Sequence, residues 1–410
     1  MGIVVQKFGG SSTGPKDRRL HVQKHIIDAK NLGYDCVVVV SAMGRAGDPY
    51  ATDTLRSLVV CDSKYNSARE LDLLMSCGET IAASVIAQEL TNAGYQARAF
   101  TGGQAGVITD HNFGSARIIE VKPEKIKNAL ASGFIPVIAG FQGLTPDGEV
   151  TTLGRGAGDI SAVAVGVALG AKMVEIYTDV DGIMTADPRI EPHAQRLHTA
   201  TYKEIVEMAH LGAKVIHPRA MEIAMEGRIS IRIRATGSDS PGTLVQASPG
   251  SPKEISDRTV TGIAHVCGMA QVQLEVSEDC LQSNLPLVVF EKLADSGISL
   301  DMIYVSPEKI AFIIEERWIT ETEILLKEFP IGVCIQQKVA KVSAVGAGMR
   351  GVPGVMAQVV KALQGAGVPI LQTTDSHANI SCLVREEHIK PAVRALHAQF
   401  ELDRLDNSRE

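Results

Sequence analysis

Three times in the first 180 residues a short apolar run stops abruptly in a loop of small and polar residues. Val37-Val38-Val39-Val40 gives way to Ser41-Ala42-Met43-Gly44. Ile135-Pro136-Val137-Ile138-Ala139 gives way to Gly140-Phe141-Gln142-Gly143, and Val174-Glu175-Ile176-Tyr177 to Thr178-Asp179-Val180-Asp181-Gly182. Runs of this length read as buried strands. Strands buried on both faces belong to a parallel sheet covered by helices. In an open α/β sheet, ligands sit beyond the carboxyl ends of the strands, so these loops are where chemistry is expected. Helices fill the gaps. Thr201-Tyr202-Lys203-Glu204 is a capping-box pattern followed by Ile205, Met208 and Ala209 at helical spacing. Ile160 to Leu169 is nearly all small and apolar, as in a helix buried on several sides.

With 410 residues, two or three domains are expected. Composition shifts at Gln246 to Ser256, where Ala247-Ser248-Pro249-Gly250-Ser251-Pro252 reads as a linker. Beyond it Val289 to Leu300 matches Val359 to Ile370 at one offset of 70 residues: a helix, a glycine stop (Gly297, Gly367), then a strand. Paired small α+β modules follow from that repeat. The tail, Asp403 to Glu410, is polar and expected to fray. A net charge of −7 argues against nucleic acid or an acidic membrane as a bulk partner. Any anionic ligand must then be held by local positive groups. The start, Met1-Gly2-Ile3-Val4-Val5, lacks the features of a signal peptide, and no apolar stretch has transmembrane length. Seven scattered cysteines (36, 61, 77, 267, 280, 334, 382), none in C-x-x-C, read as reduced thiols of a cytoplasmic protein.

The chemistry-bearing residues begin at Lys7-Phe8-Gly9-Gly10-Ser11-Ser12, directly after Ile3-Val4-Val5. Glycines after a strand let backbone N–H groups approach a phosphate, and an ammonium beside them suits the same ligand. The spacing is neither of the common glycine-rich nucleotide fingerprints. Further loops of the same character are Thr52-Asp53, Ser76-Cys77-Gly78-Glu79, Thr151 to Asp159, Thr178 to Arg189, and Lys214-Val215-Ile216-His217-Pro218-Arg219. No Ser-His-Asp set or metal-spaced histidine cluster accompanies them.

This ordered set resembles the aspartokinase branch of the amino acid kinase family over the whole chain. The tail, from Val342-Ser343-Ala344-Val345-Gly346 to Ile380-Ser381-Cys382-Leu383-Val384, is similar to that branch's second ACT module. Asp48-Pro49-Tyr50-Ala51-Thr52-Asp53 and Thr374-Asp375-Ser376-His377 resemble the diaminopimelate-sensitive Gram-positive type. The resemblance implies a three-layer α/β/α amino acid kinase domain over 1–245, a linker over 246–258, and two ferredoxin-like ACT modules over 259–337 and 338–410. It also implies a homodimer, and the first step of the lysine/diaminopimelate, threonine and methionine route.

The implied reaction joins the β-carboxylate of L-aspartate to the γ-phosphorus of ATP. A carboxylate is ionised at pH 7 and needs no general base, which fits the absence of one. The barrier is electrostatic, so positioning and charge neutralisation must supply catalysis. By resemblance Lys7, Lys214 and Asp159 are catalytic. Phe8, Gly9, Gly10, Ser11, Ser41, Thr178, Asp179, Met184, Asp187, Arg189 and Val215 join the two lysines in binding ATP. Mg²⁺ arrives on the nucleotide, so few dedicated protein ligands are expected and none is singled out. Thr52, Glu79, Arg155, Gly156, Ala157 and Gly158 face aspartate, with Glu79 toward its ammonium and Arg155 toward its α-carboxylate. Asp375, Ser376 and His377 are candidate contacts for an amino-acid effector: diaminopimelate, lysine or threonine. Plainer alternatives stand beside these: Lys7 a solvated strand end, Glu79 a helix cap or the partner of a surface lysine, Arg155 a surface charge, Asp159 an N-cap, Thr52 a turn hydroxyl, the Thr178 segment an ordinary polar loop and the Asp375 segment a polar strand terminus.

One stretch departs from the family pattern Gly-Arg-Gly-Gly-Ser-Asp-Thr. Here it is Gly154-Arg155-Gly156-Ala157-Gly158-Asp159-Ile160. A missing serine hydroxyl at 158 would cost about 0.5–1.5 kcal/mol of one hydrogen bond. Ala157 places a Cβ where positive φ is a concern. Altered aspartate affinity follows. The rival readings are a kinase for another carboxylate-bearing amino acid and a non-catalytic amino acid sensor.

Overall fold

The structure, a computed structural model, describes residues 2–59, 67–213, 215–247, 259–275, 284–329, 331–349 and 351–404. Lys214, Cys61, Cys280, most of the linker (248–258) and the end of the tail (405–410) lie outside the described residues. The chain divides into two compact units. One comprises Met1–Ile183, Arg196–Ala209 and Lys214–Ser256; the other comprises Met184–Gln195, His210–Ala213 and Asp257–Glu410. Two short stretches before residue 245 therefore count with the second unit.

The first unit runs β1 (Ile3–Phe8), α1 (Gly10–Thr13), α2 (Lys16–Asn31), β2 (Asp35–Val40), α3 (Thr52–Ser57), α4 (Ala68–Asn92), β3 (Ala97–Phe100), β4 (Val107–Thr109), β5 (Ile118–Val121), α5 (Glu124–Ala131), β6 (Ile135–Ala139), β7 (Gln142–Leu144), β8 (Val150–Thr152), α6 (Gly158–Leu169), β9 (Met173–Thr178), β10 (Thr199–Thr201), α7 (Tyr202–His210), α8 (Pro218–Gly227), β11 (Ser230–Ala235) and β12 (Thr243–Gln246). Eight strands form one sheet in the order β10-β12-β11-β9-β1-β2-β6-β3, and β5-β4-β7-β8 form a smaller one. From β11 to β3 every pairing is parallel. Val22, Ile26 and Ala29 of α2, with Ala82, Ile86 and Leu90 of α4, pack one sheet face against Phe8, Val38 and Val137. On the other face, Gly166 of α6 lies so close to the sheet that a Cβ there would meet Val174 Cγ2 at 2.6 Å. Helix–sheet–helix layering is thus the observed architecture. The apolar helix α6 ends at Gly170 in the left-handed conformation, where glycine carries no Cβ penalty. The capping box forms: Thr201 N–H donates to Glu204 Oε2 at 2.8 Å, and Glu204 N–H donates to Thr201 Oγ1 at 3.3 Å.

The middle strand β1 has β2 on one side and the much later β9 on the other. The loops leaving these strands diverge at their carboxyl ends, which opens the crevice where α/β sheets bind ligands.

The second unit runs β13 (Gly262–Glu275), α9 (Leu285–Asp295), β14 (Asp301–Val305), β15 (Lys309–Glu315), α10 (Ile319–Leu326), β16 (Gly332–Val345), α11 (Val355–Gly365), β17 (Gln372–Asp375), β18 (Asn379–Arg385) and α12 (Ile389–Gln399). One antiparallel sheet, β14-β15-β13-β16-β18-β17, carries both repeats. The long strands β13 and β16 pair along both their halves, with a register break between Val266 and Met269. Val272, Leu293 and Phe312 lie in one helix–sheet core, and Val342, Val359, Leu363 and Leu396 in another. Gly297 and Gly367, both at positive φ, stop α9 and α11 as the repeat predicts. The following strands begin at Asp301 and Gln372, slightly later than the apolar pattern suggests.

Candidate active site

At the end of β1, Lys7 lies in register with Val39 of β2 and Ile176 of β9. Its ammonium pairs with Asp159 Oδ1 at 2.7 Å, and both side chains are about nine-tenths buried. Asp159 sits in the first turn of α6 and is not its N-cap, which is Ala157. The other carboxylate oxygen of Asp159 accepts from His217 N–H at 3.3 Å, tying the β1 lysine to the segment entering α8. The first N–H groups of a helix lack intrahelical partners, so the starts of α1 and α6 offer donors toward an anion beside Lys7. Gly10 admits no side chain: a Cβ would meet Ala42 O at 2.6 Å and Gly44 O at 2.8 Å. Behind α1, Ser12 Oγ and Thr236 Oγ1 share a hydrogen bond of 2.6 Å.

A cavity of about 430 Å³ adjoins these groups. Its walls include Gly10, Ser41, Thr52, Glu79 and Arg155 through Gly158, so all six residues expected to face aspartate come together here. Arg56, Gly114 and Phe141 also line it. Arg56 and Gly114 had no sequence signal. Phe141 has φ +68°, a strained position for an aromatic residue, held by Ser161 Oγ accepting from Phe141 N–H at 2.9 Å.

The sequence reading placed Ser76-Cys77-Gly78-Glu79 in a loop. That is corrected: these residues lie inside the 25-residue helix α4, whose buried stripe runs Asp72, Met75, Glu79, Ala82 and Ile86. Gly78 lets this helix meet the 42–50 loop, since a Cβ there would lie 2.9 Å from Ala42 Cβ and from Tyr50 O. Glu79 is 2% exposed. One oxygen accepts from Ala42 N–H at 3.1 Å, and the other has no partner. Burial pushes the carboxyl up to about 8, against a smaller lowering by the Ala42 hydrogen bond. A desolvated carboxylate with a free oxygen in a cavity is suited to an ammonium.

Across the cavity, Gly154 (φ +94°) and Gly156 (φ +79°) flank Arg155 and project it from the loop between β8 and α6. Arg155 is largely exposed and pairs with Asp53 Oδ1 at 2.9 Å. The concern over Ala157 is also corrected: its backbone is ordinary, with φ −76° and ψ 5°. The constraint falls on Gly158, where a Cβ would lie 2.8 Å from Ser41 Oγ and 3.1 Å from Lys7 Cε. Gly158→Ala is therefore expected to displace Lys7 and lower kcat about tenfold, from ~1–3 kcal/mol of overpacking. Steady-state kinetics will read it; an unchanged kcat would mean that Ser41 rotates aside without strain.

Of the expected nucleotide residues, Phe8 is buried and stacks on Tyr177 at 4.6 Å. Thr178 Oγ1 donates to Asp179 Oδ1 at 3.2 Å, and Asp179 pairs with Arg45 at 3.1 Å. Val215, at the entry to α8, is half-buried in this first unit. Met184, Asp187 and Arg189 belong to the second unit. There Met184 packs against a core holding Ala186, Ile190 and Ala194, and Arg189 binds Asp187 and holds its carboxyl below the usual range. Asp375 ends β17, and Ser376 Oγ accepts from the N–H of Ala378 and of Asn379 at 3.2 Å. Among the described residues no group of three His, Cys, Asp or Glu is placed to hold a metal, and no described helix is long and apolar enough to cross a membrane.

The Amino acid kinase family profile matches residues 2–235 and an ACT domain profile matches 335–398. Aspartokinase 1 of Bacillus subtilis is 45% identical over 98% of this chain and 100% of its own. An aspartokinase of Thermus thermophilus is 39% identical over 98% of this chain and 100% of its own. The crystal structure of E. coli aspartokinase III, in complex with lysine and aspartate, superposes with a TM-score of 0.80 at 25% identity, covering 97% of this chain and 99% of that one. Matched end to end by aspartokinases and carrying an amino acid kinase part followed by an ACT part, the chain belongs to the aspartokinase branch of the amino acid kinase family and is an ATP-dependent kinase.

Proposed function

We propose that this chain transfers the γ-phosphoryl group of MgATP to the β-carboxylate of L-aspartate. The new bond joins a β-carboxylate oxygen to the γ-phosphorus; the bond from that phosphorus to the bridging oxygen breaks, and ADP leaves with the electron pair. The observation that carries the substrate is Glu79, a buried carboxylate with one unpartnered oxygen on a cavity whose far side bears Arg155. Glu79 takes the ammonium of aspartate and Arg155 its α-carboxylate, leaving the β-carboxylate to point toward Lys7. Thr52 and the Gly156–Gly158 backbone shape the pocket. Lys7, held by Asp159, neutralises charge on the transferring group, and Lys214 joins it in that role. Thr178 and Asp179 receive the nucleoside, and magnesium enters with the phosphates.

The relatives' names support this substrate, as does the aspartate held by the E. coli enzyme. Aspartate-dependent ADP release, measured against glutamate and N-acetylglutamate, tests it. We expect turnover with aspartate far above the other two; no aspartate-dependent release would overturn the reading. The ACT modules bind an amino-acid effector and pair with a second copy, and the product feeds lysine, threonine and methionine synthesis. Diaminopimelate, lysine and threonine, added singly, are expected to include one that lowers activity. Its differential affinity for active and inactive states sets the size of that effect.

A further inference from the structure

The loop that carries Arg155 is anchored at a point that none of the pocket residues supplies. Asp72 is fully buried on α4, two turns before Glu79 and on the same helix face. Its carboxylate is spent entirely on two other segments. Oδ2 accepts from Gly114 N–H and from Thr152 N–H, both at 2.8 Å, and Oδ1 accepts from Thr152 Oγ1 at 2.7 Å. Gly114 is a wall of the cavity, and Thr152 is the last residue of β8 before the Arg155 loop.

A second charge grips the same two segments from the other side. Arg219, half-buried in the first turn of α8, donates to Leu153 O and to Ala116 O, each at 3.4 Å. Its own N–H donates to His217 Nδ1 at 3.2 Å, and His217 N–H donates to Asp159, the partner of Lys7. Between the two grips, Ala116 N–H donates to Thr152 O at 2.9 Å. A carboxylate thus takes the donors of this pair of segments while a guanidinium takes their acceptors. Neither charge lines the cavity.

We propose that Asp72 and Arg219 are positioning residues that fix the Arg155 loop and the Gly114 wall in the geometry that binds the substrate α-carboxylate. The proposal rests on the aspartate reading for the identity of that carboxylate. Charged groups committed to backbone atoms hold more firmly than neutral ones, because such hydrogen bonds are stronger. Since Arg155 itself is exposed and its loop has glycine on both flanks, its direction depends on where the loop starts.

The test uses the full-length protein. In Asp72→Asn one side-chain oxygen remains and an NH₂ faces backbone donors. Arg219→Met keeps length and loses both donors, while Arg219→Lys keeps one. Displacement of a positioning loop can cost about 10²-fold, so we expect KM for aspartate to rise by roughly 10- to 100-fold in Asp72→Asn and Arg219→Met. KM for ATP should stay in place, and Arg219→Lys should recover part of the loss. In an Arg155→Lys background Arg219→Met should add little, because the two act on one contact. Hydrogen exchange without substrate gives a reading independent of the reaction: the amides of Gly114 and Thr152 should exchange faster in Asp72→Asn, and residues 152–158 faster in Arg219→Met. Folded variants with unchanged aspartate KM, or with both KM values raised together, would overturn the proposal. If Asp72→Asn fails to fold, the more accessible Arg219 variants decide. Wild type that ignores aspartate would refute the substrate reading alone, and the exchange rates would still decide whether the clamp exists.

Discussion

Replacing Lys7 by methionine is expected to lower kcat by about 10²–10³-fold, the loss seen when one preorganised charge-stabilising group is removed. Methionine keeps the length and apolar stem and loses only the ammonium. The substitution also leaves the buried Asp159 without its cation, with only the His217 N–H still donating to it, and breaking a buried pair costs about 3–5 kcal/mol of stability. A drop in activity could then reflect unfolding. The double variant Lys7→Met, Asp159→Asn separates the two effects. It removes the orphaned charge, so its melting temperature should return toward wild type while kcat stays low. Recovery of kcat in the double variant would mean that Lys7 serves only to neutralise Asp159.

Glu79→Gln is expected to raise KM for aspartate by about 10- to 150-fold, from the ~1.5–3 kcal/mol of a hydrogen bond to a charged group. Its pH signature is more specific than its size. The Glu79 carboxyl is pushed up to about 8 by burial, well above its value of 4.5 in the unfolded chain. Between those values the folded protein keeps a proton that the unfolded chain releases. Stability conferred by this group is therefore full below pH 4.5 and lost as pH rises through about 8. Substrate binding runs the other way, since an ammonium requires the carboxylate. KM for aspartate should fall as pH rises toward about 8 and then level, while KM for ATP stays flat through the same window. In Glu79→Gln the aspartate slope should vanish. A slope that survives the substitution would assign the titration to another group.

The central strands β1, β2, β6 and β9 were legible because each is a short, mostly apolar run leading into glycine or hydroxyl residues, whereas β3, β10, β11 and β12 carry no such run and were not read. Loops at the ends of β1, β2 and β9 followed from the same pattern. Glu79 was placed in the wrong kind of element because Ser76, Cys77 and Gly78 carry turn chemistry. The helical period from Asp72 to Leu90 overrides it, and Gly78 is there for the close approach of α4 to Ala42. Asp72 gave one faint signal, a carboxylate seven residues before Glu79 on an apolar stripe, and its partners 42 and 80 residues away were beyond any local pattern. Distance in sequence also hid the place of Met184 through Arg189. They follow Thr178 and Asp179 directly, yet Ala186 and Ile190 find their core among residues beyond 260. The constraint at residue 158 was read as a missing hydroxyl, whereas the packing of Ser41 and Lys7 leaves little room for a side chain there.

The central claim is that a carboxylate of aspartate accepts a phosphoryl group in a site built for charge neutralisation. Its product is an acyl phosphate, which hydroxylamine converts to a hydroxamate. Incubating the protein with MgATP, L-aspartate and hydroxylamine should yield aspartate hydroxamate in step with ADP, with both lost in Lys7→Met. ADP formed without hydroxamate, or no ADP from a protein that still binds ATP, would contradict the account.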